Sequence, residues 1–342
     1  MNWAIVLAGG IGSRFWPLST PDLPKQLLPL AGDEPLLVQA IRRLEGLVPA
    51  TQIVIVTGPA LVPAIRQLVP QIPTEHILAE PRAASTAPAL VWATTHIAQG
   101  DPDATVLSLH ADWAVAAADA FRATARGALE LAAREDVLVT VGVPPTRPDP
   151  GLGYIVPGDP LDGAYRVRRF VEKPPPELAT ELIARGALWN SGLFAWTAAR
   201  LVAEVRIHAR ELHNALPTLE LGDVLGFFAA ATPVSIDTGV LERSERVAVL
   251  KAGFDWDDVG TWAALARVNP TDAGGNFGHG RTAFVDAASC VVWAADQPIV
   301  LAGVEGLIVV QANGLTLVAS RAAASDLKQV LSKLPTELRG TP

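Results

Sequence analysis

The chain has 342 residues, enough for about two domains at roughly 150 residues each. Half of it is hydrophobic, 18% is charged, and 27 Lys and Arg against 35 Asp and Glu leave a formal net charge of −8. That composition excludes a disordered chain and argues against nucleic-acid binding by bulk charge, so any phosphate chemistry must rest on a few placed cations, backbone amides or a metal ion.

Residues 3–8 form a short apolar run ending in glycine, as a strand buried on both faces of a parallel sheet reads. No basic stretch precedes it, unlike a secretory leader. Similar runs at 52–57, 104–109 and 137–143 predict strands, with helices between them at 36–44, 61–68, 87–97 and 118–134. Strands alternating with helices predict an open α/β sheet, whose ligands bind beyond the carboxyl ends of its strands, here near Gly9 and Asp112. Four prolines between 144 and 150 forbid a regular element. Strands are then expected at 154–156, 167–171 and 188–196, with a helix at 177–185. From about Gly274 short runs at 282–285, 291–293, 299–301, 307–311 and 316–318 predict a small β-rich unit closed by a helix at 325–333. Cys290, the one cysteine, permits no internal disulfide, and no run of about 18 apolar residues predicts a membrane span. A cytoplasmic protein with no membrane partner is expected.

The most informative stretch is Leu7-Ala8-Gly9-Gly10-Ile11-Gly12-Ser13-Arg14, directly after the first strand. Its glycines let the backbone approach a ligand and turn its amides inward as a phosphate cradle, or else form a plain strand-to-helix turn. It is not a P-loop, since no Gly-Lys-Ser/Thr follows, and Phe15 occupies the third glycine of the dinucleotide fingerprint. Arg14 and Lys25 supply a guanidinium fork and a point charge close by, a pair suited to polyphosphate.

With Trp16-Pro17-Leu18-Ser19 and Leu23-Pro24-Lys25-Gln26, this segment resembles the signature of the sugar-1-phosphate nucleotidyltransferases, and its flanks resemble their mannose-1-phosphate guanylyltransferase branch. The resemblance implies nucleotide contacts for Leu7, Ala8, Gly9, Gly10, Gly12 and Ser13. Glu80-Pro81 and Ser85-Thr86-Ala87-Pro88-Ala89 resemble the base segment, implying Glu80, Ser85, Thr86 and Ala87, although the family more often has Asn where Ser85 stands. Phe170-Val171-Glu172-Lys173-Pro174, Trp189-Asn190-Ser191-Gly192 and Gly151-Leu152-Gly153-Tyr154 resemble the sugar-binding elements, implying Gly153, Tyr154, Glu172 and Asn190 for the sugar and Lys173 for its phosphate. Adjacent side chains in a strand face opposite ways, so Glu172 and Lys173 can serve one ligand only if a strand end turns one of them; Pro174 offers that end, and a solvated ion pair is the other reading. Ser235-Ile236-Asp237 and residues 255–262 also match.

Six short motifs in family order imply a Rossmann-like, mixed, mainly parallel α/β nucleotidyltransferase domain over residues 1–268. They also imply a small β-helix-like domain over 274–342, as in short members that lack an added isomerase domain. The implied reaction joins GTP to mannose 1-phosphate, giving GDP-mannose and pyrophosphate. Mg²⁺ would sit on Asp112 and Asp258, and Arg14, Lys25 and Lys173 would be catalytic. Asp255 and Asp257 are expected to face solvent or cap a helix. His110 stands upstream of Asp112 where the family has a downstream His, and is read as a core histidine rather than a partner of the site. The apolar β-rich tail predicts a homodimer. The alternatives are the same reaction on another sugar 1-phosphate or nucleotide, a non-catalytic nucleotide-sugar sensor, and a dinucleotide-dependent oxidoreductase; the missing third glycine counts against the last.

Overall fold

The structure, a computed structural model, describes residues 1–10 and 13–339, with only the backbone of Ser13 and Thr336. Two compact units form: Met1–Gly9, Ala40–Ala111 and Val115–Trp256 make the first, and Gly10–Gln39, Asp112–Ala114 and Asp257–Pro342 the second. The expected division ran in chain order; this one follows packing and assigns the segment after the first strand to the unit that holds the C-terminal sheet.

The first unit is built on one sheet whose strands are β1 (Asn2–Leu7), β2 (Ile53–Thr57), β3 (Ile77–Ala79), β4 (Thr105–His110), β5 (Leu138–Val143), β6 (Tyr154–Leu161), β7 (Ala164–Val171), β8 (Leu188–Thr197) and β9 (Val247–Lys251). Their order is β3-β2-β1-β4-β8-β5-β9-β7-β6, with β6 also pairing β8. The run β3-β2-β1-β4 is parallel, as is β5 with β9. Strand β8 is antiparallel to β4, β5 and β6. The inner strands are continuous apolar runs because both faces are covered: all of β2 and β5 is buried. Helices α1 (Leu36–Arg43), α2 (Val62–Leu68), α3 (Thr86–Gly100), α4 (Ala118–Glu135), α5 (Pro176–Ala184), α6 (Ala198–His208), α7 (Leu216–Glu220) and α8 (Val224–Ala230) connect them. The core around α3 joins Ile5, Val54, Leu90, Phe194, Trp196, Leu201, Phe227 and Phe228.

Two local features steer the chain toward the site. Asp162 and Gly163, with φ of +42° and +80°, form the two-residue turn of the β6–β7 hairpin, the Asp-Gly signature of a type I′ turn. Pro157 and Pro160 lie in β6, where bulges absorb their missing N–H groups. Residues 144–153 hold no helix or strand, as their prolines predict.

In the second unit β10 (Phe277–Val285), β11 (Val291–Ala302), β12 (Leu307–Ala312) and β13 (Leu315–Ser320) form a four-stranded sheet. Its first three strands are parallel neighbours, and β13 returns antiparallel through Asn313-Gly314, both at positive φ. The runs expected at 291–293 and 299–301 are two paired ends of the single strand β11, matched to β10 on either side of a register shift at Gly280/Thr282. Phe15, Leu30, Trp262, Trp293, Ile308 and Leu327 share the core of this unit, which α9 (Arg321–Ser325) and α10 (Leu327–Lys333) close.

Gly280 has φ +79°, and a Cβ there would lie 2.1 Å from the Ala294 carbonyl oxygen. Gly280→Ala should therefore destabilise the C-terminal sheet by about 2 kcal/mol, combining an unfavourable φ with a backbone clash. A thermal melt of the variant checks this, and an unchanged midpoint would contradict it.

Candidate active site

The first strand delivers the glycine segment, and its backbone hydrogen bonds show which part is available. Ala8 donates its N–H to the Val56 carbonyl (2.8 Å) and accepts from the Thr57 hydroxyl (3.0 Å), while the Leu7 carbonyl accepts from Ala111 N–H (2.9 Å). The side chains of Leu7 and Ala8 are buried. These residues anchor the segment, and Gly9 and Gly10 after them are exposed. Gly12 lies outside the described residues.

Against Gly9 stands Glu80: a Cβ on Gly9 would lie 3.3 Å from Glu80 Oε2. Burial pushes the Glu80 carboxyl up to about 7. Nearby in sequence, Ser85 has φ +69° and ψ −175°, a strained backbone region that only glycine adopts readily, and it is exposed. The Thr86 hydroxyl accepts from Ile236 N–H (2.9 Å), Ala87 N–H donates to the Val234 carbonyl (3.1 Å), and the Ala87 side chain is buried. Thr86 and Ala87 thus fasten the start of α3 to the strap before Asp237.

The sugar-side residues converge in the same unit. Strand β7 ends at Val171, and Lys173 takes φ +46°, which turns its side chain back so that Nζ pairs with Glu172 Oε1. The strand end after Phe170-Val171 thus brings both charges together. Gly153 lies against them: a Cβ there would sit 2.6 Å from Glu172 Oε2 and 3.3 Å from Asn190 Cβ. Asn190 follows from a bulge in the β5–β8 pairing between Thr140 and Gly142, and its N–H donates to the Gly153 carbonyl (2.8 Å). Asn190 Nδ2 donates to Asp237 Oδ1 (2.8 Å), and Glu242 Oε1 accepts from Glu172 N–H (3.2 Å). Burial first, and the charge of Glu172 second, push Asp237 up to about 6; burial also raises Glu242.

Tyr154 requires a correction. Its side chain is fully buried, and its hydroxyl donates to the Asp149 carbonyl (3.1 Å) and accepts from Asp149 N–H (2.9 Å). With its hydroxyl engaged on both sides it holds the 149–153 loop and presents no side chain to a ligand.

In the second unit Lys25, 8% exposed, donates to Asp112 Oδ2 (2.9 Å) and to the Asp258 carbonyl (2.6 Å). The residues expected to hold a cation are thereby neighbours, although 146 positions separate them in the chain. Lys25 meets Asp112 through its carboxylate and Asp258 through its backbone carbonyl, and the Asp112 carboxylate is partly exposed; a magnesium ion needs one or two carboxylates plus substrate phosphates, and these two acids are the ones that could hold it. A Cβ on Gly260 would lie 2.4 Å from Asp258 Oδ2 and 3.4 Å from Arg14 Nη1, so the guanidinium is near the same place. Gln26, 2% exposed, donates from Nε2 to the Gly10 carbonyl (3.1 Å) and pins the glycine segment. Asp255 is exposed, but Asp257 does not face solvent: it takes both Arg267 Nε (2.7 Å) and Nη2 (3.0 Å) and accepts from Val259 N–H (2.8 Å). His110 closes β4 and is partly buried.

Sequence reasoning missed Gln26, Asp237 and Glu242 as site residues. Gln26 lay in a quoted motif, and Asp237 in another; only Glu242 carried no signal beyond its distance from Asp237.

Residues 3–274 match the nucleotidyl transferase family model, and 280–334 match the model of a mannose-phosphate isomerase/GMP-like β-helix domain. The chain belongs to the nucleotidyl transferase family and carries that β-helix domain. It is 34% identical to the mannose-1-phosphate guanylyltransferase of Escherichia coli, over 98% of this chain and 74% of that protein. It is 33% identical to the alginate biosynthesis protein AlgA of Pseudomonas putida, over 98% of this chain and 72% of that protein. The crystal structure of a mannose-1-phosphate geranyltransferase from Thermus thermophilus superposes with a TM-score of 0.91 at 36% identity, covering 97% of this chain and 98% of that one. No helix among the described residues is long and apolar enough to cross a membrane.

A carboxyl whose folded pKa is raised holds a proton that the unfolded chain has already lost, so its contribution to stability falls as pH rises from about 4.5 to about 7. Glu80→Gln removes that loss. Its melting temperature should match the natural protein near pH 4 and exceed it at pH 8; a constant difference across that range would contradict the desolvation of Glu80.

Proposed function

We propose that the protein transfers a guanylyl group from GTP to mannose 1-phosphate, giving GDP-mannose and pyrophosphate. A phosphate oxygen of the sugar phosphate bonds to the α-phosphorus of GTP. The bond from that phosphorus to its α,β-bridging oxygen breaks, and the electron pair leaves with pyrophosphate. The nucleophile is ionised at neutral pH, so no general base is required, and catalysis reduces to positioning and charge stabilisation. The observation that carries this reading is that Lys25 joins the Asp112 carboxylate to the backbone of Asp258, remote segments of the chain, while Arg14 and the Asp258 carboxylate both approach Gly260.

Arg14 and Lys25 neutralise the leaving phosphates, and Gly9 and Gly10 let the triphosphate approach the backbone. Asp112 and Asp258 would hold a magnesium ion, which supplies charge neutralisation on the phosphates when bound. Lys173 meets the sugar phosphate, while Glu172 and Asn190 read the sugar hydroxyls. A carboxylate at Glu80 offers two acceptors to a base edge that carries two donors, as guanine does and uracil does not. The same reading places the enzyme in the cytoplasm, where the lone buried thiol of Cys290 needs no oxidant. It also makes the enzyme a homodimer, supported by exposed Val285, Val300 and Val318 on the β-rich unit.

Pyrophosphate release measured over a panel of nucleotides and sugar phosphates tests the assignment: GTP with mannose 1-phosphate and Mg²⁺ should give the highest kcat/KM, and equal rates across the panel would overturn it. Removing the divalent ion should abolish turnover. Lys25→Met should lower kcat by about 100- to 1000-fold, the scale for losing one placed electrostatic group, with the fold intact by circular dichroism. Near-normal turnover in that variant would remove Lys25 from the mechanism.

A further inference from the structure

The side-chain amide of Asn190 has four hydrogen-bonding positions, two donors on Nδ2 and two lone pairs on Oδ1. The fold occupies three of them. Oδ1 accepts from the Thr140 hydroxyl (3.2 Å) and from Gly192 N–H (3.2 Å), and Nδ2 donates to Asp237 Oδ1 (2.8 Å). Two of these partners enforce the same orientation. A backbone N–H can only donate, so Oδ1 must face Gly192, and a carboxylate can only accept, so Nδ2 must face Asp237. Thr140 is fully buried in β5, where the other residues of the strand are Leu138, Val139, Val141, Gly142 and Val143, and its hydroxyl is spent on this contact. Asp237 opens the π-helical turn Asp237–Leu241, and the N–H of the preceding Ile236 is held by Thr86, so the carboxylate approaches from a fixed strap rather than a free loop.

One N–H of Asn190 is left. The residue therefore meets a ligand as a donor only, whereas Glu172, 21% exposed at its side chain and adjacent across Gly153, meets it as an acceptor. A hydroxyl is both donor and acceptor, so the two together recognise a single hydroxyl in both directions. We propose that Asp237 is a positioning residue for sugar recognition: by holding Nδ2 of Asn190 it fixes which face of the amide the sugar meets and makes the site selective for a hydroxyl at that point. This rests on the assignment of Asn190 and Glu172 to the sugar. A site built around paired polar groups rejects a ligand lacking the hydroxyl because those groups are then left unpaired, which is the strongest kind of discrimination a binding site offers.

The experiment compares the affinities for GDP-mannose and GDP by calorimetry, so that the sugar contribution is read without turnover, alongside KM for each substrate. Asp237→Ala should cut the preference for GDP-mannose over GDP by about 10-fold and raise KM for mannose 1-phosphate similarly, with GDP affinity and KM for GTP changed less than about 2-fold, as loss of a buried hydrogen-bond anchor predicts. Asp237→Asn should recover most of the preference, because its amide oxygen can still accept from Nδ2. In an Asn190→Ala background Asp237→Ala should have almost no further effect, which a merely structural role would not produce. Should Asp237→Ala not fold, Thr140→Val removes the donor on the opposite side of the amide and should shift the same preference in the same direction. An unchanged preference, or an equal loss in the Asn190→Ala background, overturns the inference while leaving the activity in place. A natural protein that neither turns over nor prefers GDP-mannose to GDP overturns both.

Discussion

The ammonium of Lys25 is the joint on which the phosphate-handling half of the protein depends. The second unit is made of three stretches, 10–39, 112–114 and 257–342, and Lys25, Asp112 and Asp258 come one from each. A cation 8% exposed is unfavourable unless paired and hydrogen-bonded, and here a carboxylate and a carbonyl within 3 Å supply both. The same arrangement that satisfies the buried lysine ties Asp112 to the backbone of Asp258, in the Asp258-Val259-Gly260 loop that Arg14 approaches. Gln26, next in the chain, uses the same short turn to pin Gly10. Stability and chemistry share these atoms, so the segment cannot drift without losing both.

The sheet unit solves a different problem, which is to gather neutral and acidic groups around a sugar. It does so with backbone irregularities rather than regular strands. The bulge in the β5–β8 pairing aims Asn190, the positive φ of Lys173 folds its side chain onto Glu172, and Gly153 leaves the space they need. Each irregularity would weaken a plain sheet, and each coincides with a residue that faces a ligand in the proposed reaction, as expected where function competes with regularity.

Much of this was legible in the chain. The parallel core was readable because strands covered on both faces must be continuously apolar, and helix-like stretches alternate with them. Residues 3–8, 52–57, 104–109 and 137–143 meet β1, β2, β4 and β5 to within a residue or two. The strand end at Lys173-Pro174 was foreseeable from proline alone. What escaped notice lacked a local signal: β3 has three residues, β9 has five, and α6 to α8 fill a stretch whose apolar residues face one core from three directions. Tyr154 looked like a contact because Gly151-Leu152-Gly153-Tyr154 resembles a sugar-binding element of the family; that its hydroxyl turns back to Asp149 is a tertiary fact. Asp257 looked solvated until Arg267, ten residues on, claimed it. The merging of two runs into β11 hid behind Pro298, which lies between the two paired ends of that strand.

The central claim is that an oxygen of mannose 1-phosphate becomes bonded to the α-phosphorus of GTP, with pyrophosphate leaving from GTP. Mannose 1-phosphate labelled with ¹⁸O in its phosphate, reacted with unlabelled GTP and followed by ³¹P NMR, tests it most directly. The label should appear in the bridge of the product diphosphate and be absent from the released pyrophosphate. Labelled pyrophosphate, or GTP left intact with folded protein present, would contradict it.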